Sequence, residues 1–129
     1  MTDNSMRTPI GRVRGLGSAK SGLHHWWMQR VTAVALIPLT LWFVASLISL
    51  AGAGYAETVA WLGSPVVAVL MIALIIATFY HAALGLQVVI EDYVHHEGVK
   101  LASLLGVKLL ASLLAIAALF AVLKLAFGG

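Results

Sequence analysis

Thr58–Tyr93, TVAWLGSPVVAVLMIALIIATFYHAALGLQVVIEDY, decides the fold of this chain. No Asp, Glu, Lys or Arg occurs from Thr58 to Ile90. A helix needs about 20 apolar residues to cross a bilayer core of about 30 Å, and this stretch exceeds that. Pro65 suits a first helical turn, so the spacing predicts a helix over about 65–92. One imidazole, His81, lies deep inside it, and Asp92 and Tyr93 follow eleven residues later. That separation is roughly 16 Å along a helix axis. Eleven steps of about 100° bring Asp92 back to the face of His81. One helix face therefore carries an imidazole within the apolar zone and an acid–phenol pair at its exit. Ionisable groups in a membrane span carry a large free-energy penalty and default to a functional reading.

Working outward, Val31–Ala56 is also free of charge, and Leu101–Val107 with Leu109–Leu123 is broken only by Lys108. These runs predict two more membrane helices, over about 27–51 and 99–124. Pro38 interrupts the hydrogen bonding of the first and is expected to kink it, which membrane helices tolerate. Gly52, Gly54 and Tyr55 end that helix. The loop after it carries only Glu57, with Trp61 as an interfacial aromatic near the second helix. The chain of 129 residues is 61% hydrophobic and 10% charged, less charged than soluble domains of this size. Three crossings use most of it and leave no room for a soluble catalytic domain. The fold class is all-α, an integral membrane protein, with 1–129 as a single membrane-anchor domain. There is no cysteine, so disulfides, thiolate metal sites and Cys-ligated iron–sulfur clusters are excluded within this chain.

Residues 1–25 form a polar, basic segment with Arg7, Arg12, Arg14 and Lys20 against Asp3. It is expected to be mobile alone and ordered by a partner. Gly15–Ser21, GLGSAKS, resembles a phosphate loop superficially, but Ala19 stands where glycine is needed and no strand precedes it. A cleaved signal peptide is disfavoured by the length of the segment before the apolar run. The net charge of +3 comes mostly from this basic block. Beside a membrane anchor it reports orientation rather than nucleic-acid binding. The N-terminal side also holds Arg30, the second loop adds Lys100, the first loop has no Lys or Arg, and only Lys124 lies near the C-terminus. The positive-inside rule then gives a cytoplasmic N-terminus and a periplasmic C-terminus. His81 falls near the bilayer centre.

The chemistry of these residues has more than one reading. Neutral imidazole can ligate haem iron, and Gly85, one turn on and nearly on the same face, leaves room for a flat macrocycle. His81 could equally donate one interhelical hydrogen bond. As an axial ligand it needs a second ligand from another subunit or from a second copy, because the other four histidines lie at helix ends. Tyr93 offers a phenolic donor and Asp92 a carboxylate at the cytoplasmic rim, as a quinone carbonyl requires for hydrogen bonding and proton supply. The alternatives are belt anchoring for Tyr93 and solvated loop acids for Glu91 and Asp92. Glu91 and Asp92 oppose the dipole of the helix they end, which points to another use for them. Arg30, read as first-turn, can simply snorkel. His95 and His96 read as interfacial polar residues, and Lys108 as a snorkelling cation. Ala102-xxx-Gly106 and Ala111-xxx-Ala115 permit close helix contact.

Two stretches carry a family resemblance: His24–Leu36, HHWWMQRVTAVAL, and His81–Val94, HAALGLQVVIEDYV. With them the chain resembles, over nearly its whole length, the hydrophobic membrane-anchor subunit of succinate dehydrogenase, the D-type subunit of complex II. The stretch GLGSAKSG is similar to alphaproteobacterial members. The resemblance implies half of a six-helix, two-subunit anchor in the bacterial inner membrane. It implies haem b shared with a second, cytochrome b556-type membrane-anchor subunit, and ubiquinone as substrate. It also implies docking of an iron–sulfur subunit and a flavoprotein subunit. His81 matches the axial haem ligand, Tyr93 the residue that hydrogen-bonds ubiquinone, and Asp92 its supporting acid. Arg30 matches the arginine near the haem propionates and the quinone pocket. The chain would then be a non-autonomous part of an enzyme, with no complete active site of its own and no nucleic-acid partner. The competing expectations are a haem-free structural anchor like those of some fumarate reductases, another small b-type cytochrome subunit, or a channel component.

Overall fold

The computed structural model describes residues 8–13 and 20–128. Arg7, Arg14 and Gly15–Ala19, used in the orientation count and the phosphate-loop comparison, lie outside the described residues. The elements are α1 (Pro9–Val13), α2 (Lys20–Ser49), α3 (Tyr55–Gly63), α4 (Pro65–Tyr93) and α5 (Glu97–Ala126). Among the described residues there is no strand. Three of these helices are long and apolar enough to cross a membrane, with mean hydropathies of 2.2, 2.3 and 2.5. Large apolar side chains such as Leu41, Ile48, Leu101 and Phe120 stand exposed along them. A helix apolar on every face is at rest only against lipid or other apolar helices.

Two boundaries differ from the sequence expectation. The first long helix begins at Lys20, not near residue 27, because no proline interrupts Lys20–Ile37 and Gly22 alone weakens the start. The last part of the supposed 1–25 segment is therefore helical, and Arg30 lies well inside α2 rather than in its first turn. The loop between the first two spans contains α3, where an open loop was expected. Gly52, at φ +88°, takes the left-handed conformation that turns the chain after α2. The carboxylate of Glu57 then accepts the N–H of Gly54 at 3.1 Å, satisfying an orphan donor at the start of α3. The Trp61 ring stacks on Trp42 of α2, centroids 5.9 Å apart.

Helix α4 is the centre of the molecule. It packs against α2 on one side and α5 on the other, and α2 and α5 do not meet. Among the described residues, four of the five buried apolar ones, Val67, Ala68, Ala77 and Leu84, belong to it; the fifth is Val122 of α5. No large side chain among the described residues is fully buried. The three spans thus form an open row, and α2 keeps much of its apolar surface uncovered. His96 caps α5, its Nδ1 accepting the N–H of Val99 at 3.4 Å, so this histidine has a structural use that an interfacial reading did not give it.

At the other end, α3 lies against α4 and α5. A Cβ added at Gly63 would meet the Leu125 carbonyl oxygen at 3.0 Å, a backbone atom that cannot swing aside. Gly63→Val is therefore expected to push α3 off α5 and destabilise the chain by about 1–3 kcal/mol, the usual range for overpacking. A lowered thermal midpoint of the purified protein checks this, and an unchanged midpoint would show that α3 yields without loss.

Candidate functional site

The site is assembled by the antiparallel contact of α2 with α4. His25, Gln29 and Thr32 are spaced i, i+4, i+7, which puts them on one face of α2. That face meets His81. Thr32 is 7% exposed, the one buried polar residue among those described. Its Oγ1 donates to the Met28 carbonyl at 2.8 Å, lies 3.1 Å from the Gln29 carbonyl, and is 3.0 Å from His81 Nδ1. Gln29 Nε2 approaches His81 Nε2 at 3.5 Å, at the long limit of a hydrogen bond. A Cβ at Gly85 would sit 3.7 Å from the same Gln29 nitrogen. That is ordinary contact, so α2 does not itself require glycine there.

Two cavities open beside His81. One of about 450 Å³ is bounded by His25, Trp26, Gln29, Arg30, His81 and Val88, among others. A second, of about 410 Å³, runs along α2 past Leu36, Ile37 and Leu41. Ala33 and His81 border both. His25 Nε2 and Gln29 Oε1 are buried with no hydrogen-bond partner. Buried polar atoms are almost always paired, so two unpaired ones beside one cavity set it apart from the rest of the α2–α4 contact. The Arg30 guanidinium lies 4.7 Å from the centroid of the Trp26 ring, one turn towards the helix start. Side chains on a helix lean that way, so the charge is carried towards the N-terminal end of α2.

Tyr93 and Asp92 stand apart from this cluster. Both are exposed at the last turn of α4, Tyr93 at 77%, and neither borders the cavities at His81. Neither makes a side-chain hydrogen bond among the described residues. Glu91 differs, because its carboxylate accepts from Gln87 Nε2 at 2.8 Å. Lys108 borders a third cavity, of about 430 Å³, between α4 and α5 with Tyr80 and Gln87. The structure thus groups Arg30 with His81, and leaves the acid–phenol pair at the helix end. No cluster of three or more His, Cys, Asp or Glu able to hold a bare metal ion occurs among the described residues.

The model of the succinate dehydrogenase/fumarate reductase transmembrane subunit family matches residues 4–123. The chain belongs to this family. It is similar to the succinate dehydrogenase hydrophobic membrane anchor subunit of Rickettsia bellii, 34% identical over 116 residues, covering 90% of this chain and 93% of that one. It is also similar to the subunit of the same name from Paracoccus denitrificans, 34% identical over 86 residues and 67% of each chain. The corresponding membrane anchor subunit of Reclinomonas americana is 28% identical over 95 residues. No solved structure matches the chain. With three apolar helices in a transmembrane subunit family, this is a multi-pass membrane protein.

His81, Arg30, Tyr93 and Asp92 stand out in the sequence; His25, Gln29 and Thr32, which meet His81 in the structure, do not. A signal was present: three polar residues, His25, Gln29 and Thr32, recur at helical spacing on one face of a stretch whose one charged residue is Arg30. Starting the helix at residue 27 placed His25 outside it and hid the pattern. His25 does not lie at a helix end as the sequence suggests: it is inside α2 and borders the cavity of His81.

Proposed function

We propose that the chain is the hydrophobic membrane anchor of a bacterial succinate:ubiquinone oxidoreductase and forms one wall of a haem b pocket. Haem, when bound, supplies a one-electron carrier within the membrane. His81 would be its axial ligand, Arg30 would face its propionates, and Ala33, Leu36 and Ile37 would line its apolar edge. The observation that carries this is the cavity bordered by both His81 and Arg30, with two orphaned polar atoms beside it. Tyr93 and Asp92 would serve ubiquinone at the cytoplasmic rim, where a quinone head can meet soluble subunits while its tail stays in lipid. The open side of α2 would pack against a second anchor subunit supplying the other axial ligand, and the cytoplasmic face would dock the iron–sulfur and flavoprotein subunits. The chain oxidises no succinate itself.

A second reading has an observation in its favour. Both ring nitrogens of His81 already face side chains of α2, as they would if the histidine only joined two helices in a haem-free anchor. A reduced-minus-oxidised absorption spectrum of the complex, isolated through a tag on this chain, separates the two. A b-type spectrum is expected; a complex active with quinone but lacking that spectrum favours the haem-free anchor.

The charge distribution supports an N-terminus on the cytoplasmic side of a bacterial inner membrane. A reporter fused after Gly129 is expected to be periplasmic, since the basic residues crowd the N-terminal side and the first loop has none. A cytoplasmic signal from that fusion would reverse the orientation and move Tyr93 and Asp92 away from the soluble subunits.

A further inference from the structure

Thr32 Oγ1 has one proton and three polar neighbours. Two are the carbonyl oxygens of Met28 and Gln29, at 2.8 and 3.1 Å, and a carbonyl can only accept. The third is His81 Nδ1 at 3.0 Å. If the hydroxyl donated to Nδ1, its lone pairs would face the Met28 oxygen at 2.8 Å with no hydrogen between them. If it donates to its own helix, as threonine commonly does, its lone pairs are free to accept from His81. A neutral imidazole carries one N–H, on one nitrogen or the other.

We propose that Thr32 sets the tautomer of His81. Nδ1 carries the proton and donates it to Thr32 Oγ1, and Nε2 keeps its lone pair. The burial of Thr32 fits this, because a hydroxyl with one accepting and one donating bond leaves no unmet polar need. Among the described residues, the Gln29 amide is the hydrogen-bonding neighbour at Nε2, and its 3.5 Å approach makes it a loose cap. That same amide has an orphaned oxygen, so Gln29 gains a better arrangement by turning away when another group takes Nε2. Thr32 is thus a positioning residue: it turns a side chain with two equivalent-looking nitrogens into a ligand with one defined donor atom. A hydrogen bond at the distal nitrogen also fixes the ring plane and raises the donor strength of the ligating one.

The use of that lone pair for iron rests on the haem reading above; the tautomer does not. Two measurements keep them apart. The first is ¹⁵N NMR of histidine-labelled full-length chain in lipid nanodiscs without haem, with His81 assigned by its loss in His81→Ala. Wild type is expected to show a protonated Nδ1 and a bare Nε2. Thr32→Val, which keeps the shape and removes the hydroxyl, is expected to lose that preference, and Thr32→Ser to restore it. The second is the haem reduction potential in the assembled complex. Thr32→Val is expected to raise it, since a weaker donor stabilises ferric iron less, and Thr32→Ser to return it towards wild type. A wild-type His81 protonated at Nε2 would overturn the proposal. So would a Thr32→Val chain with the wild-type tautomer. An unshifted potential in Thr32→Val, beside a tautomer that does change, would remove the role towards iron. If His81→Ala leaves the b-type spectrum intact, the haem reading falls while the NMR result still decides the tautomer.

Discussion

His81→Ala is expected to abolish or convert the b-type spectrum of the purified complex while the three helices remain inserted. The imidazole is the sole histidine deep within a span, and it borders both cavities at the α2–α4 contact. Alanine removes an imidazole whose Nδ1 is hydrogen-bonded to Thr32 and whose Nε2 is otherwise met by a long contact alone. It also leaves Thr32 content, because the Thr32 hydroxyl still donates to the Met28 carbonyl. Insertion is set by the apolar length of the helices, which the change does not touch. Loss of the spectrum with normal membrane levels of the chain is therefore the expected pair of results. A normal b-type spectrum in the variant would exclude His81 as a ligand.

The second large effect is expected at Tyr93. Tyr93→Phe keeps the ring at the end of α4 and deletes one donor. A lost hydrogen bond of this kind costs about 0.5–1.5 kcal/mol, and more where a buried partner is left unpaired. Since about 1.4 kcal/mol is tenfold in rate, quinone reduction should fall several-fold. Electron transfer from succinate to an artificial acceptor at the soluble subunits should be unchanged. Asp92→Asn should act in the same direction if the carboxylate passes protons, with the deficit growing at high pH where protons are scarce. The ratio of the two activities in one preparation reads the effect directly. Wild-type quinone reduction and inhibitor affinity in Tyr93→Phe would reduce Tyr93 to an interfacial anchor and assign the quinone site to other chains.

The spans were legible because charge is absent over lengths that only a bilayer explains, and the all-α membrane class follows from that alone. Both ends of α4 are legible as well, since Pro65 opens it and the Glu91–Tyr93 cluster closes it. α3 was not legible. The eight residues between Gly54 and Gly63 are too few for their period to separate a helix from a loop, and their one charge, Glu57, reads as a loop acid until the Gly54 N–H is seen bound to it. His81 announced itself as a lone ionisable group in an apolar run. Its partners did not, because Gln29 and Thr32 are uncharged and common near helix starts. Only the register of α2 against α4 shows that they meet His81. Asp92 shares a helix face with His81, as the eleven-residue spacing implies, yet the cavities at His81 stop short of it. Spacing gives direction about a helix axis; it does not say how far a cavity extends.

The most direct measurement is a density map of the intact complex by electron cryo-microscopy at a resolution that shows side chains. A tetrapyrrole is expected in the cavity bordered by His25, Gln29, Arg30 and Ala33, with iron within coordinating distance of His81 Nε2 and Thr32 still bonded to Nδ1. A cavity filled by lipid or by side chains of a neighbouring subunit, with Gln29 still against His81 Nε2, would contradict it.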